Sequence, residues 1–219
     1  MRARRPPFLL GATLLSVAAF AGACSSNAAD SELPLTVAPR ATISSAAGDT
    51  TVAATPSADP LDSLLITSVP SGYSRQADDV GDTGASDLAK AVNDDGRTDA
   101  RAILINAGFV RGYQRLWQSD SEHQIVVFIY QFKTAEGADS FNTDGLNRIR
   151  SDSTIQSAPF PITGIPGAVG LSATGTTNSG AAAFFTKGVY MVQIHVVDPS
   201  VPTSEKVAQQ VAADQFARL

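Results

Sequence analysis

The stretch "QIVVFIYQF", residues 124–132, decides the fold. Successive side chains of a strand point to opposite faces, so this segment divides its apolar residues between two sides. One side carries Ile125, Val127 and Ile129, and the other carries Val126, Phe128 and Tyr130. Because both sides are apolar, we predict a strand at the centre of a sheet with a packed layer on each face.

Further strands are predicted on both sides of this one. "GFVRGYQRLWQ", 108–118, pairs with it as a hairpin across the polar turn "SDSEH". "PGAVGLSAT", "SGAAAFFT" and "VYMVQIHVVD" have strand composition, and Lys187-Gly188 predicts a tight hairpin between the last two. The sheet is therefore expected to have about five strands.

Four segments predict helices. "SDLAKAV", 86–92, and "TDARAILINAG", 98–108, form a predicted pair, with Thr98 as the N-cap of the second. A third helix begins after Thr134 and runs to about Arg150, although Gly137 and Gly145 weaken it. A last helix covers 204–219. The order ααββαβββα predicts an α+β fold, an antiparallel sheet with helices packed against it.

The amino terminus has the pattern of an export signal. Three arginines precede an apolar run from Phe8 to Ala21 that is too short to span a bilayer comfortably. The following "AGAC", 21–24, resembles the lipobox of bacterial lipoproteins, which implies cleavage before Cys24 and a lipid on its sulfur. An ordinary secretory signal cleaved after an A-x-A site, with Cys24 left as a thiol, is the alternative.

Composition divides the rest of the chain into a tether and one domain. In residues 24–60, Ala, Ser, Thr and Pro make up about two thirds of the segment, which predicts a disordered tether; residues 61–219 form a single globular domain. Three of the 16 basic residues lie in the predicted signal, 1–23, so 13 basic residues face 21 acidic ones from Cys24 onward, a net charge of −8. Such a surface argues against binding nucleic acid.

The globular part resembles small extracytoplasmic lipoprotein domains of actinobacteria. The resemblance rests on "GFVRGYQRLW", "VVFIYQF", a helix that begins "TAEGADSF", and "FFTKGVYMVQIHV" before a terminal helix. The helix and sheet arrangement is also similar to the Mog1/PsbP-like fold. This resemblance implies a fold and a location outside the cytoplasm, and it implies no chemistry.

One strand carries a candidate binding face. Alternation along 108–118 places Arg111, Tyr113, Arg115 and Trp117 on one side, a ladder of guanidinium groups and rings that can bind a sugar, an acidic peptide or an anionic headgroup. In the alternative interpretation the arginine heads pair with acidic residues and Trp117 packs at the edge of the core.

The sequence carries no motif for catalysis, a metal or a cofactor, since neither His123 nor His195 has ligands at metal-binding spacing. We therefore expect no catalytic residue, no metal site and no cofactor.

Three functions follow from these observations. The first is a non-enzymatic interaction domain, held on the outer face of the cell membrane by the lipid on Cys24, that binds an envelope protein or a glycan. The second is a carrier of a lipid or another apolar ligand, and the third is a hydrolase of unknown substrate. In the first case the core should be filled by direct contact among Phe128, Tyr130, Phe184, Phe185 and Val192, whereas a carrier needs a pocket there.

Overall fold

A computed structural model describes residues 59–153, 156–174 and 179–219, and Cys24, the predicted signal and nearly all of the predicted tether lie outside these ranges. The described chain is α+β, with helices packed on an antiparallel sheet, as predicted. The strands are β1 Ser74–Arg75, β2 Gly84–Ser86, β3 Phe109–Asp120, β4 His123–Phe132, β5 Ser157–Phe160, β6 Val169–Thr174, β7 Ser179–Lys187 and β8 Tyr190–Val197. The helices are α1 Leu88–Asp95, α2 Ala100–Ala107, α3 Ala135–Ser151 and α4 Val201–Arg218.

The sheet has eight strands in the described ranges, so the prediction of about five, and of the order ααββαβββα, is wrong. The strand order is β1-β3-β4-β8-β7-β6-β5, and β2 also pairs with β3. The three unpredicted strands lie at the two edges. β1 and β2 have two and three residues, too few for a periodic pattern, and β5 contains Pro159, which is tolerated only where a strand has an unpaired side.

The central position predicted for β4 is confirmed, because β3 and β8 pair with it on either side. We call the side of the sheet that carries Ile125, Val127 and Ile129 the first face; these three side chains are fully buried in a cluster with Ala208, Val211 and Ala212 of α4. The second face carries Val126, Phe128 and Tyr130. Helices α1, α2 and α3 pack against the second face, so the sheet lies between two helical layers.

Helix α3 follows its prediction closely. The Thr134 side chain accepts a hydrogen bond from the Gly137 backbone N–H at 3.1 Å, the expected N-cap geometry. Its sheet-facing stripe is buried, and includes Ala138, Phe141, Leu146 and Ile149. Helix α2 instead has Asp99 as its N-cap, one residue after the predicted Thr98.

The five residues expected to touch in one filled core do not form one cluster. Phe185 and Val192 are buried on the first face, whereas Tyr130 and Phe184 belong to two separate clusters on the second. Phe128 is only half-buried. The reason is alternation: the sheet itself separates side chains of opposite parity, so these five cannot all meet.

Candidate ligand-binding groove

The predicted binding face on β3 lies mostly inside the protein. Tyr113, Arg115 and Trp117 share one side of the strand as predicted, but they are 0%, 1% and 2% exposed. Arg111 is half-buried, and its Nε donates to Gln131 Oε1 on β4 at 2.9 Å. The ladder therefore does not form an exposed surface, and the alternative interpretation, in which the arginine pairs with an acidic residue, describes Arg115.

Arg115 is covered by the segment that brings the chain into the domain. Its Nη1 donates to the carbonyl of Ile66 at 2.6 Å, and its Nη2 donates to the carbonyl of Asp62 at 3.0 Å and to the Asp62 carboxylate. The guanidinium carbon lies 5.8 Å from the centre of the Trp117 ring. Burial lowers the pKa of Arg115, but a guanidinium remains protonated, so this buried cation holds the incoming segment on the first face.

Helix α4 holds the same segment from its other side. Gln215 is fully buried; its Oε1 accepts from the Ile66 backbone N–H at 3.0 Å and its Nε2 donates to the Leu64 carbonyl at 2.9 Å. Leu61 and Leu65 of this segment are buried in the first-face cluster. The first face is thus closed by the protein's own chain, and the predicted binding ladder is a structural anchor for that chain.

The second face differs from the first face, because the helices leave side chains at the centre of the second face partly exposed. Phe128 on β4 and Gln193 and His195 on β8 are half-buried, although β4 and β8 lie in the middle of the sheet. Phe128 and Gln193 are direct cross-strand partners, and Val126 is the partner of His195. These three side chains form a continuous patch to which solvent has access.

The His195 ring is packed among the other side chains of this patch. Its ring makes edge contacts with Phe128 and Phe184, with centroids 5.3 and 5.9 Å apart, and its Nε2 lies 3.3 Å from Gln193 Oε1. Burial lowers the pKa of His195 to about 4, so the ring is neutral at neutral pH. The ring therefore lies partly exposed in the patch, packed edge-on against two aromatic rings.

Helix α3 packs across the same face of the sheet, over β4, β7 and β8. Gly145 occupies the middle of the sheet-facing stripe, four residues from Phe141 and four from Ile149, both buried. Beyond the backbone of its own helix and its chain neighbours, a Cβ on Gly145 would meet no atom within 4 Å. From these observations we infer an open space between Phe128, Gln193 and His195 on the sheet and Asn142 and Gly145 on the helix, and we call it the α3 groove.

Asn142 contributes an unusual polar group to the helix side of the α3 groove. The residue is 8% exposed and lies one turn before Gly145 on the same stripe. Its Oδ1 is buried and has no hydrogen-bond partner within the described part of the chain. A buried acceptor without a donor costs about 1–3 kcal/mol, which makes Asn142 a candidate contact for a bound molecule.

A paired set of charges borders the groove beside β3. Gln114, the cross-strand partner of Phe128, donates through Nε2 to the Asp94 carboxylate, and Lys90 Nζ lies 3.0 Å from the same carboxylate. Farther along, Arg97 pairs with Asp95 at the end of α1 and with Asp144 of α3. Each of these charges has an opposite partner, and the three carboxylates exceed the two cations by one.

The sequence pattern does not predict the α3 groove. In the sequence, His195 is a strand residue without metal-binding neighbours, and Gly145 is a residue that weakens α3. The feature of the sequence that indicates such a space is the position of Gly145. A glycine in the middle of an apolar helical stripe has no side chain to pack against the sheet beneath the helix. Within the described ranges, no group of three or more His, Cys, Asp and Glu residues could hold a metal ion.

The fold and the groove define a small α+β domain with one closed sheet face and one partly open face. The chain belongs to the family described as "Domain of unknown function (DUF7373) N-terminal", whose model matches residues 66–219. A crystal structure of the extracellular domain of PknH from Mycobacterium tuberculosis is similar, with a TM-score of 0.41 and 13% sequence identity over 56% of this chain and 70% of that one. No curated protein matches the chain. None of the described helices is long and apolar enough to cross a membrane.

Proposed function

We propose that this protein is a non-enzymatic binding domain, displayed on the outer face of the cell membrane by a lipid on Cys24, with the α3 groove as its ligand site. The observation that carries the proposal is the half-buried patch of Phe128, Gln193 and His195 on the two middle strands of the sheet. Ligand sites are concave and combine apolar walls with a few polar groups, which is the composition of the groove.

The proposed anchor rests on the sequence. Small residues before Cys24 and the short apolar run ahead of them match a lipoprotein signal, and each buried CH₂ of an attached acyl chain adds about 0.8 kcal/mol of membrane affinity. The 36 residues from Ser25 to Pro60 would span roughly 30–35 Å if they behave as a flexible coil. A tether of that length would keep the domain off the membrane surface and let it contact other molecules of the cell envelope.

The anchor is tested by replacing its sulfur. We expect Cys24→Ser to abolish incorporation of a labelled fatty acid and to shift the protein from the membrane fraction to the medium, or to leave it unprocessed. Ser25→Ala, one residue further on, should label and fractionate like the wild type. Wild-type protein that takes up no label contradicts the anchor.

The groove is tested separately, with the full chain purified in detergent. Gly145→Leu fills the gap with a strong helix former, whereas Asn147→Leu places the same side chain on the exposed, opposite side of α3. We expect envelope material from the native host to be retained by wild type and Asn147→Leu and lost from Gly145→Leu. Equal retention by all three proteins would contradict a ligand site in the groove.

The carrier function receives less support from the same site. A site for an acyl chain should lack unpaired polar atoms, because burying them against hydrocarbon is costly. The α3 groove instead presents Asn142, Gln193 and His195, which favours a ligand that carries its own hydrogen-bonding groups.

A further inference from the structure

We propose that the α3 groove binds an uncharged sugar ring, an inference that rests on the proposed function of the groove. Three properties of the site lead to this class of ligand: its charge, its unpaired acceptors and its aromatic floor.

The charges around the groove point to a neutral ligand. Lys90 is paired with Asp94 at 3.0 Å, and Arg97 is paired with Asp95 at 2.5 Å and also contacts Asp144. An anionic or cationic ligand would have to compete with these existing partners for its counter-charge. His195 adds no charge, because its ring is neutral at neutral pH.

The hydrogen-bonding groups of the groove favour a ligand with several hydroxyls. Asn142 Oδ1 is a buried acceptor without a donor. In the neutral His195 ring, an Nε2–H that donates to Gln193 Oε1 leaves Nδ1 as a second acceptor, and the Gln193 amide supplies N–H donors. Each hydroxyl of a sugar is both donor and acceptor, so one ring can satisfy acceptors on the helix and on the sheet together.

The floor supplies the apolar part of the contact. The half-buried Phe128 ring lies between two amide side chains, because Gln114 and Gln193 are its cross-strand partners on either side. The face of an aromatic ring carries partial negative charge and attracts C–H groups, which a sugar ring presents on its flat side. An aromatic ring flanked by amides thus matches both the C–H face and the hydroxyl rim of a sugar.

The test measures direct binding to the full chain in detergent by saturation-transfer NMR followed by calorimetry. The probes are methyl glycosides of glucose, mannose, galactose and arabinose, with glucuronate as the charged comparison and palmitate as the apolar one. We expect at least one neutral glycoside to bind. Gly145→Leu and Asn142→Leu should each weaken that binding by about fivefold to thirtyfold, and Asn147→Leu should leave it unchanged.

Two controls keep the outcomes distinct. The melting temperature of each variant, measured by circular dichroism, shows whether the fold is intact, and Gly145→Leu and Asn142→Leu alter opposite ends of the helical wall. If no neutral glycoside binds, or only glucuronate or palmitate does, the sugar proposal is overturned. If the sugars fail but envelope material is retained by the wild type and lost from Gly145→Leu alone, the proposed function stands without a sugar ligand. If every variant retains the envelope material, the sugar proposal and the proposed function are both overturned.

Discussion

Replacement of Arg115 by methionine should unfold the protein at a much lower urea concentration. The guanidinium donates to the carbonyls of Ile66 and Asp62 at 2.6 and 3.0 Å and to the Asp62 carboxylate. Methionine has a similar stem and no donor, so three carbonyls, those of Asp62, Leu65 and Ile66, lose a donor. Among the described residues the Asp62 carboxylate then keeps the ion pair with Arg75, whose Nη2 is 3.7 Å away. Removing one partner of a buried pair costs about 3–5 kcal/mol, and we expect the lower end because the Asp62 side chain is 21% exposed.

The control for this prediction is Arg75→Met. Arg75 contacts the same Asp62 carboxylate, but its side chain is 43% exposed, and exposed ion pairs contribute about 0–1 kcal/mol. Urea unfolding can be followed by the fluorescence of Trp117, the only tryptophan of the chain, which lies beside Arg115. If Arg115→Met is within about 1 kcal/mol of Arg75→Met, the anchoring role of Arg115 is wrong.

Three further predictions concern the second face. His195 has a pKa of about 4 in the folded protein and about 6.5 in the unfolded chain. Its contribution to the free energy of unfolding is therefore complete above about pH 6.5 and decreases by about 3 kcal/mol as the pH falls toward 4. In His195→Gln, the urea midpoint should fall less steeply over this pH range than in the wild type. Gly112→Ala places a Cβ 2.4 Å from the buried Tyr130 ring and should cost about 1–3 kcal/mol in the same assay. Gly145→Ala meets open space in the middle of a helix and should stabilise the protein by about 0.5–1 kcal/mol in thermal unfolding, and a lower melting temperature would contradict the gap.

The parts of the fold that local patterns determine were predictable. The capping of α3 by Thr134 and the two apolar sides of β4 follow from spacing alone, because a cap and an alternating strand act over a few residues. The short strands β1 and β2 could not be predicted in this way. They exist because the edge of β3 offers unpaired backbone groups, to which Ser74, Arg75 and 84–86 pair.

The candidate site depended on contacts that no local pattern contains. Alternation placed Arg115 correctly on one side of β3, yet its exposure is decided by Asp62 and Ile66, which lie about fifty residues earlier in the chain. The surroundings of His195 are likewise set by distant parts of the chain, since its ring packs on Phe128 of β4 and Phe184 of β7. A strand pattern gives the side to which a residue points, and it does not say what covers that side.

The arrangement of the two faces bears on how the protein can act from a membrane. The chain comes into the domain at Asp59, and residues 61–66 are held on the first face by Arg115 and Gln215. The residues of the proposed ligand site lie on the second face, so the sheet separates them from the point where the proposed tether would attach. A tether that joined the domain beside His195 would compete with the ligand for the groove. If the proposed lipid on Cys24 holds the other end of the chain in the membrane, attachment on the closed face would leave the proposed site on the second face accessible to the envelope.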